Sequence, residues 1–293
     1  MPMQGCYINL ARSTDRRAAM EAQLRRLGLT TVERYPAFDT DMVAPARHDR
    51  NVLTPGERAC FFSHAEAVTL ANPAEMLLVL EDDAQLSEAL PAVLRSGAFA
   101  QLEADGCDIA FLECQPVTST QHLLALWQSL QRRLPPRGSN APRHALTGID
   151  FLDARTLYNW GAVAYLVTPK GLRVLPALLK EALASGPLQP YDLTLGSLLR
   201  EGRLQGTVLS PFLATPALGS HADSTLGCPS ESAAHDVLGG ALRRLFFAGP
   251  LDGLDTQVAA WRHAPLTDDP QLRLLADLMA QLFVLTARDH APR

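Results

Sequence analysis

Three consecutive acidic residues, Glu81, Asp82 and Asp83, come directly after an unbroken apolar run over 76–80. Such a run predicts a strand buried on both faces, and open α/β sheets bind ligands beyond the carboxyl ends of their strands. Adjacent carboxylates repel one another, and a divalent cation that bridges to a diphosphate would balance their charge. Oxygen ligands suit Mg²⁺ or Mn²⁺. The segment therefore predicts a metal site at Asp83, supported by Asp82 and Glu81, unless the acids cap the next helix or lie in a solvated turn.

Two residues further along the chain have side chains suited to related chemistry. Asp192 follows Pro190 in an apolar neighbourhood, which would raise its pKa and suit a general base for a hydroxyl group. A helix N-cap before Leu193 fits the same residues equally well. His221 lies in a polar segment over 219–224 and could be a third metal ligand or a diphosphate contact, or simply a surface histidine.

The residues before the acidic cluster favour a parallel sheet. The apolar segment 6–10 predicts a buried strand, and Ser13 is a plausible N-cap for a helix that ends at Gly28. A second strand is predicted over 32–38. A strand, a helix and a strand in so short a span indicate a βαβ unit.

The next helix has a start signal in Thr54-Pro55-Gly56-Glu57, which is typical of a capping box with proline at the first helical position. This helix would carry Cys60 and His64 on one face. A lone helical histidine is more often a packed or capping group than a ligand.

Later segments continue the alternation of strands and helices. Strands are predicted at 107–112 and 161–167 and a helix at 169–183, while 116–143 reads as an excursion that contains a helix over 122–134. From about residue 230 the pattern is helical. We expect one α/β core over 1–228 and a helical extension over 229–293 that packs on it.

Composition excludes some classes of protein. The net charge of −5 is unlike that of a nucleic-acid-binding protein, so no nucleic-acid partner is expected. Five cysteines without a CxxC pair indicate neither a disulfide framework nor a zinc site. No signal-peptide pattern occurs at the start and no apolar stretch is long enough to span a bilayer, so a cytoplasmic location is expected.

Five ordered motifs resemble those of glycosyltransferase family 25, the family of lipooligosaccharide and collagen galactosyltransferases. The resemblance covers about residues 4–228, while the excursion around 116–145 and the tail after Gly227 match nothing characteristic. The motifs are Ile8-Asn9-Leu10 with Arg12-Ser13 and Asp15-Arg16-Arg17; Leu53-Thr54-Pro55-Gly56-Glu57 with Ala59-Cys60 and Ser63-His64; Leu78-Val79-Leu80-Glu81-Asp82-Asp83-Ala84; Asn159-Trp160-Gly161-Ala162 with Tyr165-Leu166-Val167 and Lys170-Gly171; and Pro190-Tyr191-Asp192.

The resemblance implies a GT-A (Rossmann-like) nucleotide-sugar-binding core with a mostly parallel sheet and an inverting mechanism. It implies a nucleotide-sugar donor, often UDP-galactose, and a glycan or glycolipid acceptor such as lipooligosaccharide. A Mn²⁺ or Mg²⁺ cofactor is expected at Asp83, Asp82 and His221, with Asp192 as the base and Glu113 or Asp150 as the next candidates. The residues expected to bind the donor are Asn9, Arg12, Asp15, Arg16, Ser63, His64, Glu81 and Asp82. For the residues of the first motif, the alternative is a solvated helix start.

Two other functions fit the same acidic cluster. A metal-dependent phosphohydrolase also places aspartates at strand ends, and an inactive family member could bind glycans or nucleotides without turnover. A separate hypothesis concerns a membrane. Leu242, Leu245, Phe246 and Phe247 beside Arg243 and Arg244 could dock a tail helix on an anionic surface, whereas the alternative is a helix packed on the core.

Overall fold

The fold was analysed in a computed structural model. The structure describes residues 2–43, 53–135, 145–217, 233–251, 253–263 and 268–287. Its first half contains, in chain order, β1 (Met3–Asn9), α1 (Thr14–Leu27), β2 (Val32–Pro36), α2 (Pro55–Leu70), β3 (Met76–Glu81), β4 (Ala84–Leu86), α3 (Leu90–Arg95), α4 (Ala98–Ala104), β5 (Ile109–Phe111), β6 (Gln115–Pro116) and α5 (Thr120–Arg133). The second half contains β7 (Asp150–Asp153), α6 (Ala154–Leu157), β8 (Tyr158–Trp160), β9 (Ala164–Val167), α7 (Pro169–Ala184), α8 (Tyr191–Arg200), β10 (Gly206–Ser210), β11 (Ala214–Pro216), α9 (Ala233–Leu245), α10 (Leu254–His263) and α11 (Pro270–Ala287).

A central sheet of seven strands has the order β2-β1-β3-β9-β5-β10-β7. β1 pairs in parallel with both β2 and β3, and β10 pairs in parallel with β5. β9 is antiparallel to both of its neighbours, and β7 is antiparallel to β10. The predicted α/β class with a mostly parallel sheet and an initial βαβ unit is therefore confirmed, with two strands reversed. The narrower GT-A assignment stays a prediction.

The strand before the acidic cluster is buried on both faces, as its apolar run predicts. Leu77 and Val79 belong to the hydrophobic cluster on one side of the sheet, whereas Leu78 and Leu80 belong to the cluster on the other. Alternate side chains of a strand point to opposite faces, so a continuous apolar sequence is what a strand between two layers requires. Each buried leucine contributes about 1.5–3 kcal/mol relative to an exposed one, which fixes the position of the strand end.

The predicted helix starts have different outcomes. Thr54 Oγ1 accepts a bond from the Glu57 N–H at 3.2 Å, and the Thr54 N–H donates to Glu57 Oε2 at 2.7 Å, which confirms the capping box of α2. Ser13 occupies the N-cap of α1, but its side chain makes no capping hydrogen bond. α1 ends as predicted at Gly28, whose φ of 68° is readily adopted by glycine.

The first helix after residue 232 packs on the core. The side chains of Leu242, Leu245, Phe246 and Phe247 are at most 3% exposed, and the Phe246 carbonyl accepts a bond from the Phe212 N–H at 2.8 Å. The hypothesis that these residues dock on a membrane is therefore wrong, because their apolar surface is already covered by the protein. Within the described part of the chain, no helix has the length and apolarity to cross a bilayer.

Candidate active site

A cleft of about 330 Å³ opens at the carboxyl ends of β1 and β3. Register explains the location: Ile8 of β1 lies beside Glu81 of β3, so the residues that follow the two strands meet at one edge of the sheet. β9 runs in the opposite direction, and the residues just before it return to this edge, where the Val163 carbonyl accepts a bond from the Glu81 N–H at 2.8 Å. Further lining residues come from the segment that follows β2, from the starts of α1 and α8, from α2 and from the ends of β11 and α9.

Asp82 is held in place by two side chains from the first motif. Asn9 Nδ2 donates to Asp82 Oδ2 at 2.6 Å, and Arg16 Nη1 lies 3.2 Å from Asp82 Oδ1. Asn9 is itself fixed by Arg34, whose Nε donates to Asn9 Oδ1 at 2.8 Å. Burial raises the pKa of Asp82 above its usual value, although Asn9 and Arg16 oppose this shift. Residues of β1 and α1 thus hold the Asp82 side chain in place, and both of its carboxylate oxygens are hydrogen-bonded.

Glu81 is paired with a buried histidine. His64, which is 1% exposed, places Nε2 at 3.2 Å from Glu81 Oε1 and Nδ1 at 3.0 Å from the Tyr165 hydroxyl. The ring of Tyr191 stacks on His64 with 4.5 Å between centroids. Burial alone would raise the pKa of Glu81, but the His64 bond, with the charges of His64, Arg243 and Arg16, outweighs it and lowers the pKa. Both His64 nitrogens are therefore engaged by protein groups.

Two sets of side chains could hold a metal ion. Potential ligand atoms of Cys60, His64 and Glu81 lie within 4.8 Å of one another. Burial, with the charges of Glu81 and Asp192, raises the pKa of the Cys60 thiol well above its usual value, so the thiolate that binds metals is disfavoured. The oxygen-rich acidic cluster fits a hard cation such as Mg²⁺ or Mn²⁺ better, and Asp83 lines the cleft. His221, the predicted third ligand, lies outside the described residues.

Asp192 lies in the first turn of α8 and also lines the cleft. Its Oδ1 accepts a bond from the Leu193 N–H at 2.8 Å, and its Oδ2 accepts one from the Gly161 N–H at 3.1 Å. Burial raises the pKa of Asp192 above its usual value, while these two backbone bonds oppose the shift. The N-cap position of α8 is occupied by Pro190, so Asp192 is not the N-cap.

The other predicted donor-binding residues are only partly brought together. Arg12 and Arg16 line the cleft, and Arg12 forms an ion pair with Asp39. Ser63 also lines it, but its hydroxyl accepts a bond from the Phe38 N–H at 2.9 Å and donates to a carbonyl of its own helix. Asp15 is exposed in the first turn of α1 and is not among the cleft residues. Asn9 donates a hydrogen bond to Asp82 but is not itself among the residues that line the cleft.

Neither of the two further candidates for the base is among the lining residues. Glu113 is fully buried, and its Oε2 lies 2.5 Å from Arg243 Nε. Asp150 is bound by Arg132 and Arg133 at the end of α5. Both carboxylates are thus paired with arginines and are not themselves among the lining residues, so neither is favoured as the base.

Arg243 is a cleft residue that sequence reasoning did not identify as part of the site. It comes from α9, is 2% exposed, and places its guanidinium carbon 5.5 Å from the centre of the Trp160 ring. A pair of arginines within an apolar helix was a signal that they are buried with a partner, because unpaired buried charges are costly. The sequence pattern did not identify that partner, which lies 130 residues earlier in the chain.

Comparison with known proteins bears on this geometry directly. No curated protein sequence matches the chain significantly. The sequence model of "Glycosyltransferase family 25 (LPS biosynthesis protein)" matches residues 3–194, about two thirds of the chain. The match spans β1 to the first turn of α8, and so includes Asn9, His64, the acidic cluster and Asp192. The chain therefore belongs to glycosyltransferase family 25.

Proposed function

We propose that this glycosyltransferase moves a hexose, galactose from UDP-galactose, onto a glycan acceptor such as lipooligosaccharide, with inversion at the anomeric carbon. The observation that carries the proposal is the shared position of Asp192 and the acidic cluster on one cleft. An inverting transfer needs a carboxylate at the acceptor hydroxyl that is separate from the groups that bind the donor diphosphate.

The contacts within the cleft favour Asp192 as that base. Asp39 pairs with Arg12, Glu81 with His64, and Asp82 with Asn9 and Arg16, while Glu57 caps α2. The carboxylate of Asp192 accepts its bonds from two backbone N–H groups instead. A side chain held in this way is oriented without a fixed positive partner, so it keeps more of its capacity to accept a proton.

The donor side of the cleft is assigned to the acidic cluster and the arginines of the first motif. A Mn²⁺ or Mg²⁺ ion would be held by Asp83 with support from Asp82, and His221 stays a predicted third ligand. When bound, the ion neutralises the charge that develops on the departing diphosphate. Arg12 and Arg16 line the same cleft, and we assign their guanidinium groups to phosphate oxygens or to the base of the nucleotide.

The transfer step follows from this assignment. Asp192 takes the proton of the acceptor hydroxyl as the hydroxyl oxygen forms a bond to the anomeric carbon. The bond from that carbon to the diphosphate oxygen breaks at the same time, and UDP leaves with the electron pair. Attack from the side opposite the leaving group inverts the configuration.

A transfer assay with the purified protein, UDP-galactose and a lipooligosaccharide-derived acceptor tests the proposal. We expect transfer in Mn²⁺, none in EDTA, and almost none for Asp83→Asn. Neutralising one acid of the cluster lowers repulsion, so the melting temperature of the variant should hold or rise. Asp105→Asn is a matched control, because Asp105 is exposed on the C-cap of α4.

Full transfer in EDTA would overturn the metal assignment. Release of phosphate or nucleotide at the same rate with and without acceptor would point instead to a phosphohydrolase. Binding of UDP-galactose with no turnover under any condition would identify an inactive family member.

A further inference from the structure

The cleft has a wall that the family match does not cover. Arg243 belongs to α9, beyond the matched residues 3–194, yet its side chain lines the cleft together with Trp160 and Asp192. Helix α9 approaches closely because Gly239 has no side chain: a Cβ there would lie 2.6 Å from Gln115 Oε1. The position of Arg243 is thus set by packing of the helix on β6.

The guanidinium of Arg243 is oriented from two sides. Nε lies 2.5 Å from Glu113 Oε2, and the guanidinium carbon lies 5.5 Å from the centre of the Trp160 ring. Arg243 Nη2 has no hydrogen-bond partner among the residues that the structure describes. A buried N–H group left unbonded costs free energy, so an arginine that lines the cleft, is fixed through Nε and has no partner for its buried Nη2 is suited to donate to a ligand.

Arg243 Nη2 lies near residues that contact both the proposed base and the acidic cluster. Nη2 lies 3.3 Å from the point where a Cβ of Gly161 would be, so a side chain at 161 would crowd it. The Gly161 N–H donates to Asp192, and two residues later the Val163 carbonyl accepts from the Glu81 N–H. Arg243 therefore lies against the short loop that connects the proposed base with the acidic cluster. A sugar bound between Asp192 and the acidic cluster would therefore lie next to Arg243.

We propose that Arg243 donates from Nη2 to hydroxyl oxygens of the transferred sugar, and that α9 thereby completes the donor-sugar subsite. The inference rests on the proposed transfer from a nucleotide sugar. A planar guanidinium beside an indole ring offers hydrogen bonds to the hydroxyl groups of a hexose and an apolar face to its C–H groups. Glu113 acts as a positioning residue, because its bond to Nε fixes the orientation of the guanidinium in the wall of the cleft.

The test compares binding and turnover of Arg243→Met with those of the wild-type protein. Affinities for UDP and for UDP-galactose are measured by calorimetry, and kcat and KM by the transfer assay. We expect kcat/KM and the affinity for UDP-galactose to fall about ten- to a hundred-fold, as for loss of a charged hydrogen-bond donor. Affinity for UDP alone should change less than about three-fold, since UDP lacks the sugar.

Two further variants separate this role from a structural one. Arg243→Met leaves Glu113 buried without its counter-charge, so the double variant Glu113→Gln/Arg243→Met removes both members of the pair. It should regain stability and keep the defect toward UDP-galactose. Arg244→Met is the matched control: Arg244 is equally buried on the same helix but bonds Gln85 and the Pro216 carbonyl, and it does not line the cleft.

Recovery of kcat/KM in the double variant, or an equal loss of UDP and UDP-galactose affinity, would overturn the role of Arg243 in sugar binding. A wild-type protein that binds UDP and UDP-galactose and transfers galactose, with Arg243→Met indistinguishable from it, would also overturn that role and leave the proposed function intact. A wild-type protein that binds neither compound would overturn the donor assignment itself and, with it, the sugar subsite built on it.

Discussion

Replacing Asp192 with asparagine keeps the size of the side chain but removes the carboxylate that we assign as the base. The two oxygens of Asp192 accept bonds from the backbone N–H groups of Leu193 and Gly161. A carboxamide has one acceptor oxygen, so only one of these N–H groups keeps its partner. The other then faces the NH₂ group of the asparagine.

The structure sets the expected size of two effects. Loss of one partner for a buried backbone N–H group costs about 1–3 kcal/mol, so the free energy of unfolding should fall by about that amount. Loss of a general base lowers the catalytic rate by about two to four powers of ten. The rate effect is therefore too large to be explained by the unfolded fraction of a protein with ordinary stability of about 5–15 kcal/mol.

The assay is the pH dependence of kcat and kcat/KM for the wild type, Asp192→Asn and Asp192→Glu. A base works only when deprotonated, and burial raises the pKa of Asp192. The wild-type rate should therefore fall as the pH is lowered through a pKa above the usual value for aspartate. Asp192→Asn should lack this acidic limb, while Asp192→Glu should keep it at a reduced rate, because its carboxylate is one methylene further out.

Two results would refute the reasoning. A wild-type-like rate for Asp192→Asn would show that no proton passes through this side chain. Loss of donor or metal binding at unchanged turnover would place Asp192 in the donor site instead.

Two further predictions concern stability. Asp150 has a pKa lowered to about 2, because its bonds to Arg133, Ser129 and Arg132 outweigh its burial; the stabilisation is present above the unfolded pKa and is lost as the pH falls toward 2. Asp150→Asn should thus cost about 2 kcal/mol in urea unfolding at pH 7 and about half as much near pH 3; an equal cost at both pH values would contradict the ion-pair argument. Gly171→Ala should lower the free energy of unfolding by about 3 kcal/mol or more, because its Cβ would lie 2.0 Å from the Asp108 carbonyl oxygen. Gly239→Ala is the comparison variant with a smaller expected loss, because its Cβ would meet the end of the Gln115 side chain rather than backbone; similar melting temperatures for the two variants would refute the reasoning.

Local sequence signals predicted the elements that place the acidic cluster. The apolar run before Glu81 identified a strand buried on both faces, and Thr54 with Glu57 identified the start of α2 through the chemistry of the cap. Both signals depend on neighbouring residues alone, so they can be recognised without knowledge of the rest of the fold. The position of Asp83 just beyond the end of β3 was predicted from the same apolar run.

Other features depended on pairings that a single sequence does not specify. The apolar sequence of β9 fits a parallel strand and an antiparallel strand equally well. Its antiparallel pairing with β3 and β5 could therefore not be predicted. The bond from Asn9 to Asp82 depends on the register of β1 and β3. Arg243 reaches the cleft only because α9 packs beside β6, and from the sequence a hydrophobic helix with two arginines favoured packing on the core over a membrane surface without identifying what it packs against.

The charges around the cleft give a physical reason to expect a cation there. Among its described residues, six are acidic, and the arginines that line it already face carboxylates: Arg12 faces Asp39, Arg16 faces Asp82, and Arg243 faces Glu113. A diphosphate that entered such a site alone would meet a surplus of negative charge at low effective dielectric. Binding of a divalent ion at the acidic cluster would reduce that surplus. UDP and the metal should therefore bind with positive coupling: the affinity for UDP should rise with Mn²⁺ concentration in calorimetry, and Asp83→Asn should abolish that dependence. Equal affinity for UDP with and without Mn²⁺ would mean that the arginines alone balance the diphosphate.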